Sequence, residues 1–173
     1  MSQNSALVGS ANSQNTSWLV ETIHKVIELC SLTPASLIAL VGRFSIAAVF
    51  WKGGQTKIEG LKLDFVAGEF HLGWPRMAES AVDLFRDEYH MPFPELLAPV
   101  AALSEHFLAL MLLIGLATRF SALGLLGMTM VIQIFVYPGL YTSHGVWAAV
   151  LLYLIAHGPG KISIDHFIAK RFS

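Results

Sequence analysis

The chain has 173 residues, 54% of them hydrophobic and 13% charged, and a formal net charge of −1. A soluble domain carries about 25% charged residues, so the composition excludes an ordinary soluble globule, and the lack of a basic excess excludes a nucleic-acid partner. Cys30 is the only cysteine, which excludes an intrachain disulfide, dithiol chemistry within the chain and an iron–sulfur cluster held by this chain alone.

Residues 1–17 are rich in Ser, Asn and Gln and predict a disordered N-terminal tail. With no Lys or Arg and no apolar core they do not read as a cleavable signal peptide. Residues 18–173 are expected to form one membrane domain. In its first stretch, Trp18, Leu19, Ile23, Val26, Ile27 and Cys30 recur at helical spacing opposite Glu21, His24, Lys25 and Glu28. That pattern predicts an amphipathic helix lying in the membrane interface or against the bundle.

Four apolar runs follow, at about 36–51, 96–117, 120–136 and 143–157. They predict an all-α polytopic protein, a bundle of four transmembrane helices. Residues 55–94 form a long charged connection, and within it residues 76–90 place Met77, Ala81, Leu84, Phe85 and Tyr89 on one helical face. An interfacial helix is expected there, with Phe70, Trp74 and Phe93 suited to the headgroup level. A small extramembrane cap is the alternative. Thr118-Arg119 predicts a tight turn between the second and third runs, which makes them antiparallel neighbours. Four spans put both termini on one side. The Lys and Arg residues divide evenly between the two faces, while the long connection holds seven acidic residues. The positive-inside rule is thus a weak guide here, and both termini are expected in the cytoplasm.

Two runs carry a charge near their middle, Arg43 in the first and Glu105 in the second. An ionisable group in a bilayer costs at least about 2.5 kcal/mol and ordinarily faces the bundle interior with a partner. The two residues are expected to pair if their helices are antiparallel. Such a pair either fixes helix register or forms a site that takes a proton, a quinone, a lipid headgroup or a cation. His106, Gln133 and Ser104 could extend the polar cluster, although Gln133 more often joins helices. Haem between two histidines would need a second His at matching depth, whereas His144 and His157 lie near opposite ends of the fourth run. A metal site at Glu105 and His106 lacks a third ligand. No cofactor is therefore expected from obvious ligands, and quinone remains compatible with an apolar cleft holding a few polar groups.

Three motifs in order carry a resemblance. The first is Arg43, Phe50, Gly54 and Lys57, around the exit of the first run. The second is Pro99 and Glu105, followed by Gly115-Leu-Ala-Thr118-Arg119. The third is His157-Gly158-Pro159-Gly160, continuing through Ser163 to Asp165. Together they resemble the DoxX family of small bacterial membrane proteins, over about residues 38–165. The resemblance implies a four-helix inner-membrane protein associated with redox or stress-response systems. On that basis the expected role is an accessory or anchoring subunit of a quinone-linked oxidoreductase, with the lipid bilayer and a redox partner protein or further copies of the chain as partners. A small-solute or metal transporter and a non-catalytic scaffold for a soluble partner are the alternatives. Gly53 and Gly54 are expected to serve the turn, and Lys57 to snorkel or pair with an acid of the connection.

Overall fold

A computed structural model describes residues 4–64 and 68–172, with the side chains of residues 4–17 and 64 outside the description. Seven helices and one β-hairpin follow in order: α1 (Asn4–Ser31), α2 (Ala35–Gln55), β1 (Ile58–Asp64), β2 (Glu69–Met77), α3 (Glu79–Asp83), α4 (Pro94–Ile114), α5 (Thr118–Val131), α6 (Tyr141–His157) and α7 (Ile164–Phe172).

Residues up to 35 and residues from 36 onward form separate compact units. In the first, α1 covers the expected amphipathic helix and continues back to Asn4, through most of the stretch whose composition favours disorder. That stretch contains no proline, so no missing backbone N–H interrupts the helix. Lys25 and Glu21 form an exposed ion pair one turn apart on it.

In the second unit four segments are long and apolar enough to cross a bilayer: Ala35–Gln55, Pro94–Ile114, Thr118–Val136 and Pro138–His157. These match the four predicted runs to within a few residues, so the chain is a multi-pass helical membrane protein. The inward faces are built from small residues, with Ala39, Ala47, Ala102, Ala109 and Ala122 buried beside Leu112, Leu125, Leu151 and Leu154. Small side chains let helix backbones approach closely, which is how packing is gained where lipid is as apolar as leucine. Leu103, Phe107, Leu110, Phe120, Leu123 and Phe135 face outward instead.

The turn between α4 and α5 falls at Gly115-Leu116-Ala117, with Thr118 already helical. Gly115 has φ 72° and its N–H donates to Leu112 O, while Leu116 N–H donates to Met111 O. This is a Schellman close, which needs a residue free to adopt a left-handed conformation at Gly115. At the other end of α4, Phe93 is left-handed at φ 54° and Pro94 opens the helix, where its missing N–H costs nothing. The third span ends in a π turn over Ile132–Val136, and a 3₁₀ turn at Pro138–Leu140 leads into α6.

The first half of the long connection, for which the sequence pattern predicts no element, holds two strands: β1 and β2 pair antiparallel, with Leu61 opposite Leu72 and Leu63 opposite Phe70. The expected interfacial helix is confined to α3 and a following π turn, Leu84–Glu88. Its inner face is Ala81 and Phe85, both buried.

Candidate functional site

The polar residues singled out above separate into three groups, and Arg43 and Glu105 do not meet. The reason lies in helix register. Gly53 and Gly54 of α2 lie against the side chains of Glu105 and His106 of α4, whereas the guanidinium of Arg43 lies against Gly115. Ten residues separate the two contacts on each antiparallel helix, which is about 15 Å along the axis at 1.5 Å per residue. Both charges are buried within the bundle, but at different levels.

At the first level Glu105 stands mid-helix in α4, with only 6% of its side chain exposed. Its partner is Lys57, just beyond α2, whose ammonium donates to Oε1 at 3.0 Å and Oε2 at 2.8 Å. Lys57 also donates to Gly53 O at 3.1 Å. The pairing expected for Lys57, with an acid of its own connection, is thus replaced by one with the intramembrane carboxylate. A buried ion pair needs its remaining polar atoms satisfied to repay desolvation, and the contact to Gly53 O contributes to that.

Beside this pair runs a chain of hydrogen bonds from β1 into α4. Leu63 N–H donates to Gln55 Oε1 at 2.8 Å, which turns the amide nitrogen of Gln55 toward His106 Nε2, also at 2.8 Å. His106 Nδ1 lies 2.7 Å from Ala102 O. A carbonyl only accepts, so the contact assigns the imidazole proton to Nδ1 and leaves Nε2 to accept from Gln55. The Trp51 ring packs edge-on against His106, with centroids 4.9 Å apart, and its indole N–H donates to Leu63 O at 3.0 Å. Gly54 is required here, because a Cβ at that position would lie 2.5 Å from His106 Cε1.

At the second level Arg43 is only 1% exposed and donates from Nη2 to Ile162 O, while its buried Nε has no hydrogen-bond partner. The motif residues of the α4–α5 turn and the C-terminal close gather around it. Asp165 accepts from Ala117 N–H at 2.7 Å and Thr118 N–H at 2.8 Å, and its own N–H donates to Gly115 O at 2.9 Å. A carboxylate at the start of α5 satisfies donors that have no partner within the helix. Ser163 Oγ donates to Gly160 O and accepts from His166 N–H. Gly160, at φ +80°, packs on Ser36, and Gly158, at φ +79°, lies beside the Arg119 guanidinium, which donates to Ala156 O at 3.3 Å. Pro159 sits between these two glycines. This level is a structural closure of the bundle end.

Gln133 belongs to neither level. It sits in the π turn after α5, donates to Pro138 O at 2.7 Å and receives His144 Nδ1 at 2.8 Å. His144 is buried with its ring tilted against Trp147, which in turn packs against Phe50. Gln133 therefore joins α5 to α6, the role its type favours. Ser104, the residue before Glu105 in α4, is half-buried. Pro99 lies inside α4, about one and two-thirds turns before Glu105. Gln55 and Trp51 were not legible as site residues: their partner is the backbone of a strand whose fold the sequence pattern did not reveal.

Among the described residues no three His, Cys, Asp or Glu side chains stand close enough together to hold a metal ion. What the first level offers is a buried carboxylate, the ammonium bonded to it and a half-buried imidazole on the next residue of α4.

Comparison with curated proteins and with solved structures gives no match. The model of the DoxX family matches residues 38–138, more than half of the chain. That segment holds Arg43, Phe50, Gly54, Lys57, Glu105 and Gly115, while the close from Gly158 to Asp165 lies beyond it. On this match, and with four apolar helices folded as described, the chain belongs to the DoxX family.

Proposed function

We propose that this protein is an accessory subunit of a quinone-linked redox or stress-response system in the bacterial inner membrane, with both termini in the cytoplasm. The observation that supports the reading is the buried Lys57–Glu105 pair with His106 and Gln55 beside it, at the middle of a membrane helix. Intramembrane ionisable groups are costly and are ordinarily kept for function. Reduction of a quinone adds two electrons and two protons. The second N–H of the Gln55 amide is a donor suited to a quinone carbonyl, and Glu105, held by Lys57, is suited to relaying a proton. The electrons would come from a redox centre in a partner protein.

The test is to purify the protein in mild detergent, extract its lipids and quantify quinone by mass spectrometry. Quinone near one per chain in the wild type, lost in Glu105→Gln with the fold intact, supports the reading. Bulk lipid alone in both refutes it. A second reading, a scaffold for a soluble partner, is favoured by one observation: the hairpin is tied to α2 through Leu63. Such a mount would present residues 58–88 firmly. Capture of a stoichiometric soluble protein that is lost when those residues are replaced would favour it.

A further inference from the structure

The hairpin segregates its side chains. Leu61 is directly opposite Leu72, and Leu63 directly opposite Phe70, so these four share one face. Lys62 and His71, also opposite each other, share the other. Trp74, two residues beyond Leu72, lies in the irregular stretch between the Leu61–Leu72 and Glu59–Arg76 pairs and adds a further apolar side chain to this edge of the hairpin. Leu72 is 83% exposed and Trp74 85%. Soluble proteins rarely leave contiguous apolar patches in water, and such a patch marks a surface meant to be covered.

What covers it follows from where the hairpin is held. The N–H and C=O of Leu63 both bond to side chains of α2, from Gln55 and Trp51 in its last turns. Ala78 N–H, just after β2, donates to Lys57 O at 3.1 Å. The hairpin is thus fastened at both its ends to the terminus of a membrane-spanning helix. That terminus is where the span Ala35–Gln55 leaves the bilayer, so the hairpin is held at the level of a membrane surface. A limit on depth is also built in. The sheet has two strands, so β2 has an outer edge that pairs with no strand among the described residues. Unpaired backbone groups do not enter hydrocarbon, so the hairpin stops among the headgroups, where Trp is favoured.

We propose that the apolar face of this hairpin is a lipid-binding surface, seated on the headgroup layer of the leaflet at the C-terminal end of α2, with Leu72 and Trp74 inward and Lys62 and His71 toward water. The full chain, with Cys30→Ser as background, carries a nitroxide on Leu72→Cys, Trp74→Cys or His71→Cys and is reconstituted in vesicles of phosphatidylethanolamine and phosphatidylglycerol. Collisions with oxygen, which partitions into lipid, are compared with those of a water-soluble nickel chelate. At positions 72 and 74 oxygen should prevail, and at 71 the order should reverse. Equal nickel access at all three positions overturns the proposal. Spin–spin broadening at 72 that vanishes on dilution with unlabelled chain also overturns it, because a second copy then covers the face. If the labelled chains fail to fold, the wild type and Trp74→Phe are compared for quenching by brominated lipid. The chain has four tryptophans; a smaller quenched share of the emission in Trp74→Phe supports the proposal, and an unchanged or larger quenched share refutes it.

Discussion

Lys57 and Glu105 meet across 48 residues of chain, the ammonium of one spanning both carboxylate oxygens of the other at 2.8 and 3.0 Å. One comes from a connection and the other from the middle of a membrane helix. The contact therefore fixes how far the end of α2 descends along α4. Four expectations follow, two from this level of the bundle and two from contacts elsewhere in the chain.

Glu105→Ala should leave the Lys57 charge buried without a partner and destabilise the fold by about 3–5 kcal/mol. Replacing Lys57 and Glu105 together by leucine should restore most of that loss. Unfolding in mixed micelles measures both. A double-mutant cycle between Lys57 and Glu105 should show clear coupling. The same cycle between Arg43 and Glu105 should return none beyond about 0.5 kcal/mol, since residues without shared partners act additively.

Gly54→Ala should cost about 1–3 kcal/mol by overpacking, because the new methyl meets the His106 ring. The effect should be relieved in the His106→Ala background, where the ring is absent. Additive losses in the double variant would show that Gly54 is required for some reason other than room.

Asp165→Ala should expose the two N–H groups at the start of α5 and cost about 1–2 kcal/mol. Asp165→Asn should recover only part of that, since one amide oxygen replaces two acceptors and the new NH₂ faces donors. Thermal melts of the three proteins give the order. Hydrogen exchange at Ala117 and Thr118 should rise in both variants.

Tyr137 donates to Glu88 Oε1 at 2.6 Å and lies 3.5 Å from the Tyr89 hydroxyl. The hydrogen bond to a carboxylate raises the Tyr137 pKa above the ordinary tyrosine value, as does the neighbouring Tyr89. The folded pKa is raised, so the stability linked to it is present below the unfolded value of about 10 and is lost only as pH rises through the higher folded one. In an ultraviolet titration Tyr137→Phe should therefore leave phenolate absorbance at about pH 10 unchanged. A missing step there would show that Tyr137 titrates normally.

The spans were legible because a bilayer imposes one simple demand, about 20 apolar residues in a row, and the chain meets it four times. Glu105 was legible for the same reason, as an exception that had to be buried. Its partner was not. Reading Arg43 and Glu105 as a pair assumed that mid-run on one helix lies level with mid-run on the next, and α2 is offset along α4 by enough to bring Lys57 there instead. The hairpin was missed because residues 58–77 interleave Gly60, Gly73 and Pro75 with their apolar positions. A bulge between Glu59 and Leu61 breaks the alternation that signals a strand. Gln133 could be placed from its type alone, since an amide in a span most often bridges helices, and His144 proves to be what it bridges to.

The carboxylate of Asp165 reaches back 47 residues to Thr118. During synthesis the chain emerges from its N-terminus, so the α4–α5 pair is made well before its cap exists. Until Asp165 itself is made, the N–H groups of Ala117 and Thr118 lack this carboxylate and turn to water or headgroups. Asp165 follows all four spans in the sequence, so the bolt on the α4–α5 turn is made only after the helices that it holds.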